Sequence, residues 1–189
     1  MADGSADEEK CILCSHRDIT SMPACGKWGT KLCSLTYIIL NIFVCSLIVH
    51  LVGFSTTFWS YGEDFYHNGL WLLCGLNKQR YCRYLPYDAA WFEATQALET
   101  LGLFAAFLSL VLLVLFIFHP QSTTNKTIFI LAVISTFVTA CFTVLGVVIY
   151  GAKNRDLSWS YGLTVLAGIL YAGSGILMVV HLNMNLQDT

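Results

Sequence analysis

The chain alternates between long apolar runs and short polar breaks. Four stretches, 32–62, 100–125, 127–152 and 157–187, contain no Asp, Glu, Lys or Arg. A helix needs roughly 20 predominantly apolar residues to cross a bilayer, and each stretch exceeds that. The pattern predicts membrane helices over about 35–57, 94–118, 127–150 and 163–184. Barrel strands do not fit, because the runs are too long and lack in–out alternation. Between the helices fall a first loop at 58–93, a turn near 119–126 and a second loop at 151–162. The expected division is a tail at 1–31, a four-span membrane unit at 32–184 and a tail at 185–189.

Composition sharpens this picture. Of 189 residues, 56% are hydrophobic and 12% charged, about half the charged share of an ordinary soluble domain. A soluble fold would need charges on the outward face of every apolar stretch. Net charge is −2, and no basic patch offers a nucleic-acid surface. Neither HExxH, GxSxG nor a phosphate-cradling glycine loop occurs, so no enzyme activity and no cofactor are expected. The chain reads as a polytopic membrane protein surrounded by membrane lipid.

An even number of spans places both termini on one side. Lys and Arg normally accumulate in cytoplasmic segments, but here they divide evenly. Lys10, Arg17, Lys27, Lys31 and Lys126 oppose Lys78, Arg80, Arg83, Lys153 and Arg155. The acidic start, Met1-Ala2-Asp3 and then Asp7, Glu8 and Glu9, does not read as a cleavable signal peptide. Cysteine chemistry supplies the direction. Cys74 and Cys82 in the first loop suit a small disulfide-closed hairpin, and disulfides persist outside the cell rather than in the cytosol. Cys11, Cys14 and Cys25 crowd the tail, with Cys33 at its membrane edge, as reduced thiols would in the cytosol. The expectation is cytoplasmic termini and two extracellular loops.

The first loop carries Trp59, then Gly69-Leu70-Trp71, then Cys74 and Cys82. Trp favours the membrane interface because its ring is apolar while its N–H needs a partner. Gly69 permits a positive backbone angle or close packing beneath a large ring. Together these residues match the first-loop signature of the superfamily containing claudins, peripheral myelin and epithelial membrane proteins, and lens fibre membrane intrinsic protein. Ala90-Trp91-Phe92-Glu93-Ala94-Thr95-Gln96-Ala97 and Ser158-Trp159-Ser160-Tyr161-Gly162 also resemble the starts of its second and fourth helices. The resemblance covers about residues 32–184. It implies a claudin-like fold: an all-α transmembrane four-helix bundle, left-handed, under a small extracellular antiparallel β-sheet. Most strands would come from the first loop and one from the second.

Several side chains fall outside the motif. Cys11-Ile12-Leu13-Cys14 with His16 and Cys25 makes half a zinc site, and acylation of Cys25 or Cys33 is the favoured reading. His50 and Glu99 are the deepest ionisable groups in the spans, where such residues usually face a partner or cavity. His50 lies roughly 13 Å below the outer interface and Glu99 roughly 9 Å below it. Either the two pair, or Glu99 reaches the interface and His50 bonds a backbone carbonyl. Gly102 with Ala106, and Gly168 with Ala172, have the spacing that lets helices approach closely.

The resemblance implies a plasma-membrane protein of cell junctions, working by adhesion and lateral assembly with a second copy or a related tetraspan protein. The alternative is an auxiliary subunit that docks on an ion channel or receptor. Trp59 and Trp71 are expected to hold the sheet on the bundle. Partner contact then falls to Phe65, Tyr66, His67 and Trp159.

Overall fold

The computed structural model describes residues 27–62, 66–75, 81–84, 89–118 and 126–187. Among them are four long helices: α1 (Lys27–Ser55), α2 (Ala90–Phe118), α3 (Lys126–Lys153) and α4 (Trp159–Gln187). Each holds a segment long and apolar enough to span a membrane, at Leu35–Ser55, Ala90–Ile117, Thr127–Lys153 and Trp159–Met184. The helices form a closed ring in which each packs on its chain neighbours and α1 meets α4. The contact between α2 and α3 is the densest and that between α1 and α2 the sparsest of the four.

Every helix starts earlier than the apolar runs suggested, α1 stops slightly short of the expected end, and α3 and α4 run a few residues past it. α2 starts at Ala90, where the carbonyl of Ala89 accepts from the N–H groups of Phe92 and Glu93. Glu93 in that first turn also suits the positive end of the helix dipole. α4 starts at Trp159, with the Gly162 N–H donating to the Ser158 carbonyl. Continuing the helix through these residues keeps their backbone groups paired, so polar and aromatic residues at its start remain helical.

The core is a column of Phe43, Leu47, Leu103, Leu113, Tyr171 and Met178, with smaller residues between them. Small side chains let α2 and α3 close together. Ser109 and Thr136 share a 2.6 Å hydrogen bond, and the Ser135 hydroxyl donates to the Ala105 carbonyl. Hydroxyl pairing satisfies polar groups that lipid cannot. Away from the sheet, Thr36 on α1 lies 3.0 Å from His181 Nε2 on α4. Outward, Ile48, Phe104, Leu108, Ile134, Val148 and Ile169 are exposed. Water would penalise so continuous an apolar surface, whereas lipid tails do not.

Four short strands follow α1: β1 (Ser60–Gly62), β2 (Tyr66–Asn68), β3 (Leu72–Gly75) and β4 (Tyr81–Tyr84). They form one antiparallel sheet in chain order. The expected strand from the second loop is absent among the described residues. Residues 154–158 leave too little chain between α3 and α4 for one. That segment instead makes a single bridge, Ser60 to Leu157, reinforced by the Tyr61 N–H to the Asp156 carbonyl and the Ser158 N–H to the Trp59 carbonyl. It covers the free edge of β1. The sheet therefore grows from one loop and is braced by the other.

Candidate functional site

The sheet's seat on the bundle is built from the motif. Trp59 is fully buried, and its indole N–H donates to the Gly53 carbonyl at 2.7 Å, near the end of α1. Its ring meets Tyr150 of α3 edge-on at 4.9 Å and Tyr161 of α4 at 6.0 Å. Ser60, the first residue of β1, bonds the Tyr150 hydroxyl at 2.9 Å. Leu70, Phe92 and Val147 complete this second apolar cluster. One strand is thus tied to three helices at a single point.

Gly69 makes the turn above that seat possible. A Cβ here would lie 2.7 Å from both the Thr56 carbonyl oxygen and the Thr57 Cα. Both are backbone atoms that cannot swing aside. Its N–H donates to the Leu72 carbonyl, closing the turn into β3. That close approach drives Leu70 inward, where it is fully buried while Gln96 donates to its carbonyl. Trp71 is consequently turned outward, which corrects the expectation that it holds the sheet as Trp59 does. It is 37% exposed, with an edge contact to Phe54 at 5.3 Å.

Cys74 and Cys82 are directly opposed on β3 and β4 and form a disulfide. Replacing either with Ser should remove about 2–3 kcal/mol of chain restraint from this small sheet. We expect both single variants to be held largely inside the cell. Surface biotinylation measures this, and normal delivery of both would contradict it.

Other residues singled out from the sequence have different settings. His67 of β2 is half-buried, stacked on Phe58 at 4.3 Å, and Phe58 in turn lies 5.5 Å from Trp159. Trp159 is 48% exposed. Tyr66 belongs to β2, while Phe65 lies outside the described residues. Cys25 and the Cys11–Cys14 half-site also lie outside them, as does the side chain of Cys33 in α1. Among the described residues, no group of three His, Cys, Asp or Glu could hold a metal ion. Sequence reading missed Tyr61 and Tyr84, which stand out from the sheet at 52% and 82% exposure. Alternation along β1 and β4 signals outward residues there, but only the fold shows which face is free.

Inside the bundle the structure brings His50 and Glu99 together. His50 Nε2 lies 2.9 Å from Glu99 Oε2, and both side chains are fully buried. This contact bridges α1 and α2, the pair of neighbours with the least packing. Gly146 of α3 makes room for it, since a Cβ there would collide with Glu99 Oε1. The small-residue pairs converge nearby. Gly102 and Gly168 both face Thr143 of α3, and each leaves a gap that a side chain would crowd.

Four apolar spans carrying a disulfide-clasped sheet at one end define a tetraspan membrane protein of the claudin-like class. The chain belongs to the PMP-22/EMP/MP20/Claudin family, whose sequence model matches residues 31–178. A comparison with curated proteins finds no match.

Proposed function

We propose that this protein acts at the plasma membrane of cell junctions, by adhesion and lateral assembly through its sheet end, with no reaction catalysed. The observation that carries this reading is a firmly seated sheet with unburied aromatic rings. Trp59, the β1 bridge and the disulfide hold the sheet still, while Tyr84, Tyr61 and Trp159 remain exposed. Aromatic rings held on a rigid frame bind at low entropic penalty, and they dominate interface hot spots. The partner we assign is a second copy or a related tetraspan protein.

The same disulfide supports an orientation. Disulfides are rare in the cytosol, so the sheet end faces outward. α1 begins and α4 finishes at the opposite end of the bundle, which turns both termini to the cytoplasm.

Substituting Tyr84 and Trp159 together with Ser should leave surface level near normal and abolish enrichment at cell contacts. Neither ring belongs to a buried cluster, so folding does not depend on them. Phe65 and Tyr66, expected contacts from the sequence, form a second double variant in the same imaging assay. If neither variant disturbs contact enrichment, the sheet end is not the adhesive surface. Mild-detergent purification provides the opposing outcome. A stoichiometric channel or receptor, in place of self-association, would mark an auxiliary subunit instead.

A further inference from the structure

Each of the four helices brings one fully buried polar side chain to a common junction: His50 from α1, Glu99 from α2, Thr143 from α3 and Tyr171 from α4. The His50–Glu99 hydrogen bond uses one atom of each partner. His50 Nδ1, Glu99 Oε1, Thr143 Oγ1 and Tyr171 OH are buried without a hydrogen-bond partner in the protein. The side chains that carry them pack together. The Tyr171 ring meets His50 edge-on at 5.8 Å. The point where Gly102 would carry a Cβ lies 3.1 Å from Thr143 Oγ1 and 3.6 Å from His50 Cε1, the carbon between the two ring nitrogens. Glycine thus keeps open the space between an imidazole and a hydroxyl.

The chemistry of the unmet atoms selects the ligand. The two hydroxyls each donate and accept, the carboxyl oxygen accepts or, when it carries the proton, donates, and Nδ1 does either according to tautomer. A cation would answer only the acceptors, and Glu99 already has His50 as its partner. An apolar molecule would answer none. Water both donates and accepts, and buried water typically makes two to four such bonds. Within a bilayer the alternative is several polar groups sealed off with nothing to bond.

We propose that this four-helix junction is a binding site for internal water, with one molecule bridging His50 Nδ1 and Thr143 Oγ1, and Tyr171 OH and Glu99 Oε1 completing its contacts. The bound water links α3 and α4 to the pair that spans α1 and α2, so all four helices share one polar connection.

X-ray hydroxyl-radical footprinting in nanodiscs, in H₂¹⁸O, tests this directly. Radicals form from ordered water and label the side chains beside it. His50 and Tyr171 should acquire the isotope although sealed from solvent, while Met178, equally buried beside the Thr136 hydroxyl that already pairs with Ser109, stays unlabelled despite its reactive sulfur. Thr143→Val, which keeps the shape and deletes the hydroxyl, should bring the His50 label down to the Met178 level. Labelling of His50 and Tyr171 no higher than Met178 in the unaltered protein would overturn the site, whether or not the variant folds. So would a His50 label unchanged in folded Thr143→Val. Melting that rises with sodium but not with choline would assign the site to a cation and refute water.

Discussion

Trp59→Ala will leave little folded protein at the cell surface. The ring is fully buried among Tyr150, Tyr161 and Phe92, and truncating such a side chain removes about 3–5 kcal/mol. Its N–H bond to Gly53 disappears as well, leaving a helix-end carbonyl without that donor. Single domains hold only about 5–15 kcal/mol in total, so the loss is a large share. Trp71→Ala provides the contrast. Trp71 is partly exposed with one edge contact, and its removal should cost about 1–2 kcal/mol. Thermal melting in detergent and surface biotinylation should separate the two variants clearly. Equal behaviour would mean that Trp59 is not the seat of the sheet.

His50→Phe will lower the melting temperature more than any substitution on the lipid-facing surface. It leaves the Glu99 carboxyl buried without its 2.9 Å partner, and a buried polar group left unsatisfied costs about 1–3 kcal/mol. Gly146 packs against the other carboxyl oxygen, which has no hydrogen-bond partner in the protein. Glu99→Leu should be similarly harmful, because it strands His50. Combining them removes both polar groups from the weakly packed α1–α2 contact, and the double variant should regain much of the loss. Replacing both partners of a buried hydrogen bond by apolar groups is often nearly neutral. A cycle in which the two changes cost stability independently would refute the coupling.

Much of the fold was legible because lipid leaves a helix few alternatives. Charge-free runs mark the spans, since every backbone group inside the bilayer must be paired within the helix. The helix ends were less legible. The apolar runs begin only near 94 and 163, and it was the resemblance of Ala90–Ala97 and Ser158–Gly162 to helix starts, not hydropathy, that pointed to the earlier beginnings at Ala90 and Trp159. The motif predicts a clasped turn but not which neighbour points inward. Leu70 and Trp71 are adjacent and both apolar, and the approach of Gly69 to the Thr56–Thr57 backbone decides between them. His50 and Glu99 could be assigned similar depths from helical rise alone. Their facing depends on the rotation of each helix, which the ring of four sets and a single helical period does not. Tyr61 and Tyr84 escaped notice for a related reason. A short strand announces alternation, while the covered face is chosen by what the sheet sits on.

We propose that the sheet end makes contacts between cells. This is tested most directly by mixing cells that express differently tagged copies with cells that express none, and imaging their boundaries. Enrichment of both tags where two expressing cells meet, with none at boundaries against non-expressing cells, is the result predicted here. An even distribution around every cell, whatever its neighbour, would contradict it.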